Sequence, residues 1–219
     1  MNNDVINLLK KSDGIFDGHF VYTSGKHASR YLNKMSIFLH PIFASEMGKL
    51  FANKYINKNV DIVVAPAMGG IILGQWTAYH LSKLKNKDIL STYTEKDKGS
   101  FTSAAKSNHI FTKGNEKYVV GKNVLIVEDI VTTGISVQKV VKAVKDADGK
   151  IIEVCAMANI NPNPGSITDK LIGAKFSSLA DLPVNLYDEG NCELCNKNVP
   201  INTDLGHGKK FLEEKAKQK

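Results

Sequence analysis

Residues Val124 to Ser136 read VLIVEDIVTTGIS, and the fold turns on that run. Val124 to Val127 has the length and β-branched content of a buried strand. Glu128 and Asp129 follow at once, then Ile130, Val131, Thr132, Thr133, Gly134, Ile135 and Ser136. After that the period changes. Val137, Val140, Val141 and Val144 share one face of a helix that ends near Gly149. A strand, a tight polar turn and a helix are therefore expected. The first N–H groups of a helix lack partners and lie at the positive end of its dipole, so such a turn suits an anion. The hydroxyls of Thr132, Thr133 and Ser136 add donors. Glu128 and Asp129 cannot hold a phosphate, but they accept hydrogen bonds from hydroxyls, and a ribose offers two. A phosphate site beside a diol site describes a ribose 5-phosphate. An ordinary strand-to-helix turn would use the same residue types as caps, but two adjacent carboxylates are poorly suited to capping alone.

A second turn of this kind lies upstream. Val60 to Ala65 has the pattern of a strand, Pro66-Ala67-Met68-Gly69-Gly70 is a small-residue turn, and a helix runs on through Trp76 and Leu81. Glycines let the backbone approach a ligand closely. A helix from Pro41 to about Tyr55 precedes it, with Phe43, Met47, Leu50 and Phe51 on one face. Further strands are expected at Asp88–Tyr93, Ile151–Ala158 and Lys175–Leu182, and a hairpin around Lys113-Gly114-Asn115. Strands alternating with helices give an α/β fold, a mostly parallel central sheet flanked by helices. Both anion turns fall at carboxyl ends of strands, where open α/β sheets bind ligands. Between them, Thr94 to Ser107 is a polar, Lys-rich loop, long enough to suggest function.

With 219 residues, 42% of them apolar, the chain fits one domain with appendages. No run approaches the length of a membrane span, and the N-terminus lacks the pattern of a secretory signal. Three cysteines argue against a disulfide scaffold and for a reducing, cytoplasmic setting. The net charge of +7 suits a polyanionic small substrate. Nucleic acid is not favoured, because the lysines are dispersed, with no basic block interleaved with aromatics. Arg30 is the sole arginine, which draws attention to any role for its planar fork. Walker A, GxGxxG and HExxH patterns are absent.

Val124–Ser136 resembles the phosphoribosyl-pyrophosphate (PRPP) motif of type I phosphoribosyltransferases. Gly18–Lys34, with its Ser24-Gly25-Lys26 turn and Tyr31, is similar to the hood that covers the base in the orotate branch of that family. The resemblance implies the type I phosphoribosyltransferase fold. Residues 1–40 would form the N-terminal helix and hood, 41–185 the PRPP-binding core, and 186–219 a C-terminal extension. It implies PRPP contacts from Ala67, Met68, Gly69 and Gly70 and from Glu128 through Ser136. Glu128 and Asp129, with Lys96 and Lys98 of the loop, would be catalytic. Lys26, Arg30, Tyr31 and Thr132 would meet the base. Orotate and PRPP would be substrates and Mg2+ the cofactor, its ligands mostly substrate and water, in a homodimer with a shared active site. Related enzymes carry an arginine near Asn161, and this chain has none, so Arg30 would take the substrate carboxylate. Another nucleobase, or a PRPP-sensing regulator that binds nucleic acid, are the alternative readings.

Two features stand apart from this scheme. Cys192 and Cys195 form a CxxC, which supplies half a zinc site at most. His207 is its nearest histidine in sequence, and Cys155 is expected in the core. His19 and His27 are expected to be surface or hydrogen-bonded histidines. The tail from Gly208 has a charged, helical pattern.

Overall fold

The computed structural model describes residues 2–97 and 108–217. The chain opens with α1 (Asn2–Lys11), β1 (Ile15–Val21) and β2 (His27–Leu32), then α2 (Met35–Leu39) and α3 (Pro41–Tyr55). Strands and helices then alternate: β3 (Ile62–Pro66), α4 (Gly69–Lys85), β4 (Leu90–Lys96), a short β5 (His109–Ile110), β6 (Asn123–Val131), α5 (Ile135–Asp146), β7 (Lys150–Asn159), α6 (Asp169–Ile172) and β8 (Phe176–Asp181). β9 (Leu186–Tyr187), α7 (Glu193–Asn196) and α8 (Gly208–Lys217) follow.

The main sheet has the order β5-β4-β3-β6-β7-β8. Its strands are parallel except β5, which pairs antiparallel to β4 at the edge. Alternate residues of β6 serve opposite faces, as the pleat requires. Leu125 and Val127 join the core beneath α1, α3 and α4, whereas Val124 and Ile126 pack with Val137, Val140 and Val144 of α5. The helices after β3 and β6 therefore cover opposite faces. β4 lies on one side of β3 and β6 on the other, so the strand order reverses there. The reversal opens a crevice at the carboxyl ends of β3 and β6.

The second sheet is antiparallel, in the order β1-β2-β9. Leu186 and Tyr187 pair with Ala28 and His27. The Asn202 N–H donates to the His19 carbonyl (2.7 Å) and the His207 N–H to the Val21 carbonyl (2.8 Å). The C-terminal extension thus completes the hood. α1 does not belong to the hood; Val5, Leu8 and Leu9 insert into the main core.

Three expectations are corrected. β6 runs on to Val131, because the main chain of Glu128, Ile130 and Val131 stays in register with Ala156, Ala158 and Asn159 of β7. The hairpin at Lys113–Asn115 does not form. Asn115–Tyr118 is a 3-10 turn, Val119 is drawn into the core beside Val124, and β5 pairs with β4 instead. Lys96 ends a strand and is not part of the loop expected from Thr94; Lys98 lies outside the described residues.

Candidate active site

Glu128 and Asp129 lie near the carboxyl end of the central strand, 6% and 4% exposed. The Asp129 N–H donates to Glu128 Oε1 (2.9 Å), and the Ile130 N–H donates to Asp129 Oδ1 (2.5 Å). Lys34 Nζ stands 2.6 Å from Asp129 Oδ2. Burial and the charge of Asp129 push the Glu128 carboxyl well above the usual carboxylate range; the Asp129 N–H and Lys34 oppose the shift. Lys34 was not anticipated. Its signal was a basic residue three positions beyond Tyr31, on the segment that leaves the hood.

The turn after β3 meets the same carboxylate. A Cβ on Gly69 would fall 1.8 Å from Asp129 Oδ2 and 3.3 Å from Lys34 Nζ, so a side chain here would have to displace the carboxylate. The Ala67–Met68 peptide is cis. The Ala67 N–H donates to the Thr94 carbonyl at 2.8 Å, which ties this turn to β4.

The turn after β6 is built around Gly134, whose φ of +78° starts α5 from the left-handed region. Asn161 braces it, donating from Nδ2 to the Thr132 carbonyl at 2.6 Å. Asn161 Oδ1 in turn accepts from the Asn163 N–H (2.8 Å) and the Ser166 hydroxyl (3.2 Å). Where the sequence lacks an arginine, the structure thus has a residue that positions the anion turn. A cavity of about 50 Å³ lies in this turn, lined by Glu128 and by residues 130–137.

Two larger clefts adjoin it. One of about 200 Å³ lies between Lys34, Ala67, Met68, Gly69, Lys96, His109 and the acid pair. Here His109 Nδ1 bonds the Thr94 hydroxyl at 3.0 Å. Burial, with Lys96 and Lys139 nearby, holds His109 down at about 4, so it is neutral at pH 7. The other cleft, of about 310 Å³, lies under the hood. Tyr22, Thr23, Tyr31, Asn33, Lys34, Met35, Ile160 and His207 line it together with Asp129 and Ile130.

The structure therefore brings together Ala67, Met68, Gly69, Lys96, residues Glu128 to Ser136 and Tyr31 around connected clefts. Gly70 packs behind them against Pro66 and Ala65. Thr132 lines the small cavity and not the hood cleft. Lys26 and Arg30 line none of these clefts. Arg30 stands opposite Asp17 in the β1–β2 register and pairs with it at 2.8 Å, a cross-strand ion pair. Lys26 pairs with Asp188 of the extension at 3.0 Å. These partners were invisible without the strand register.

The arrangement offers a turn suited to an anion, two buried acceptors for a diol and a cleft with two lysines for a second anion. It also has an aromatic-lined cavity for a planar group. The phosphoribosyl transferase domain family matches residues 35–177. The orotate phosphoribosyltransferase of Thermoanaerobacter sp. is 33% identical over 203 residues, spanning 90% of this chain and 94% of its own. That of Thermotoga maritima is 32% identical over 203 residues, spanning 93% and 98%. Among solved structures, orotate phosphoribosyltransferase from Aeropyrum pernix shares the fold, with a TM-score of 0.60 at 18% identity over 81% of this chain and 93% of that one. The Francisella tularensis enzyme has a TM-score of 0.58 at 17% identity over 97% of both chains.

Proposed function

The chain belongs to the orotate phosphoribosyltransferase family, and from that premise we propose its reaction: transfer of ribose 5-phosphate from PRPP to a ring nitrogen of orotate, giving orotidine 5'-phosphate and pyrophosphate. The observation that carries this reading is the buried acid pair beside an anion turn at the point of strand reversal. The 5-phosphate binds the turn of Thr132, Thr133, Gly134 and Ser136. Cleavage of the C1–oxygen bond leads bond formation to nitrogen, so positive charge develops on the ribose ring. Glu128 and Asp129 accept hydrogen bonds from the 2- and 3-hydroxyls, and the Asp129 carboxylate favours that charge. Pyrophosphate leaves into the cleft between Gly69 and Lys96, with Lys98 as a further cation. The base lies under the hood against Tyr31. Its carboxylate falls to the polar groups lining that cleft, Thr23, Asn33, Lys34 and His207, because Arg30 does not line it.

The oxygen donors of Asp129 and Glu128 suit a hard cation, and Mg2+ brought by the substrate would supply charge neutralisation for the leaving group. We also propose a homodimer in which the Lys-rich loop of one protomer reaches the site of its partner. The large apolar side chains of Leu39, Ile42 and Met68, exposed by 73%, 72% and 81%, support an interface near the site. A cytoplasmic setting accords with three free thiols.

The test is pyrophosphate release with PRPP and Mg2+, offering orotate, uracil, hypoxanthine, guanine and adenine in parallel. Turnover with orotate alone is expected. Turnover with another base, or none with orotate, overturns the assignment.

A further inference from the structure

We propose that His19, His27, Cys192 and Cys195 bind one zinc ion that fastens the C-terminal extension to the hood. The four residues come from three places: His19 from β1, His27 from β2, and the two cysteines from the N-cap and body of α7. One ligand atom from each lies within 4.8 Å of all the others. His19 Nε2 is 3.6 Å from Cys192 Sγ and 3.8 Å from Cys195 Sγ, and His27 Nδ1 is 3.4 Å from Cys195 Sγ. Zinc–sulfur and zinc–nitrogen bonds in a tetrahedron place ligand atoms about 3.3–3.8 Å apart. The sulfur–nitrogen separations fall in that range. His19 Nε2 and His27 Nδ1, 2.8 Å apart, are closer; that pair opens by about 0.5 Å on binding.

The surroundings favour the ion. His19, His27 and Cys192 are buried, and both cysteines are free thiols. His19 Nδ1 donates to the Val199 carbonyl at 2.7 Å, which fixes the tautomer and turns the Nε2 lone pair towards the cluster. Without an ion, His27 Nδ1 must then donate to His19, and His27 Nε2 is left as a bare acceptor. That atom is buried and has no hydrogen-bond partner. With an ion, His27 Nδ1 ligates and Nε2 carries the proton. The ring packs against Phe211, with centroids 4.9 Å apart and planes at 84°. Two thiolates and two imidazoles select zinc over a hard cation, and four protein ligands leave no open position for catalysis. The ion is structural. It ties α7 to β1, which leads into Tyr22, and to β2, which carries Tyr31, the two tyrosines of the base cleft.

Zinc content is counted in full-length protein purified from zinc-supplemented cells, independently of any turnover. About one zinc per chain is expected. Cys192→Ser/Cys195→Ser should lose it and melt about 10 °C lower, whereas Asp129→Asn should keep it. Should the double variant fail to fold, Co2+ added to chelator-stripped wild type decides: near-ultraviolet thiolate charge-transfer bands and intense visible bands mark a tetrahedral S2N2 site. Wild type with less than a tenth of a zinc per chain, a pale octahedral cobalt spectrum, zinc retained by the double variant, or a Cys192–Cys195 disulfide trapped in cells would each overturn the proposal. Loss of orotate turnover with zinc intact would count against the reaction and leave the metal site standing.

Discussion

Glu128 and Glu153 lie on neighbouring strands of one sheet, 6% and 4% exposed, and their surroundings treat them in opposite ways. Glu153 sits towards the amino end of β7. Its Oε1 accepts from the Ser177 hydroxyl (2.6 Å) and the Tyr55 hydroxyl (2.9 Å), and Lys175 Nζ stands 3.2 Å from Oε2. Burial pushes this carboxyl up, but the bonds from Ser177, Tyr55 and Lys175 outweigh it and hold Glu153 below its ordinary value. Among the described residues Glu128 accepts one hydrogen bond, from the Asp129 N–H. A carboxyl group has room for more, whether protonated or ionised. One end of the sheet has a buried charge whose needs are met by its own fold. The other has a buried pair with unused acceptor capacity and a cleft beside it, which is how a site that waits for a ligand differs from a structural ion pair.

Exchanging carboxylate for amide at each end should separate the two roles. Asp129→Asn is expected to lower kcat about 100- to 1000-fold while changing the Kd for PRPP, measured by titration, less than about tenfold. Equal effects on both would remove its transition-state role. Gly69→Ala drives a methyl group into Asp129 Oδ2, and a displacement of that size should cost about 100-fold in kcat/KM. Its urea midpoint should stay near wild type, since the clash is at the cleft and not in the core.

Glu153→Gln should do the reverse. It removes charge-assisted hydrogen bonds in the core, so unfolding stability should fall by about 2 kcal/mol in a urea titration, with kcat unchanged. A kcat loss as large as that of Asp129→Asn would erase the contrast between the two ends.

The smallest effect is in pH dependence. Because the folded-state pKa of Glu128 is raised, the native chain holds a proton that the unfolded chain has released. Stability from this group is full below the ordinary carboxylate pKa and is lost as pH rises through the raised value. Glu153 has the opposite sign: its contribution is present above the ordinary pKa and is lost as pH falls through the depressed one. Tm against pH for Glu128→Gln and Glu153→Gln should flatten opposite limbs of the wild-type curve. One shared limb would mean that the two carboxyls do not differ as described.

Local pattern carried much of this molecule. β3, β6 and β7 are strands whose both faces are buried, so continuous apolar runs announced them. The threonines and glycine after Val127 announced the strand-to-helix turn, because capping and positive φ are properties of residue type. Where a side chain's role depends on what stands opposite it, the pattern was silent. Lys26 and Arg30 carry suitable chemistry but spend it on Asp188 and Asp17. Lys34, His109, Asn161 and His207 enter the site or brace it with no motif of their own.

Residue pattern alone yields the α/β class and the two strand-to-helix turns, because short-range periodicity and local hydrogen bonding dictate both. Long-range packing settles the rest. It set the strand reversal that joins the two turns and the cross-strand pairing that occupies the sole arginine. It also brought His19 and His27 to Cys192 and Cys195 across some 170 residues of chain. These depend on which distant backbones share a register, and register is settled by burying the sheet's two faces at once.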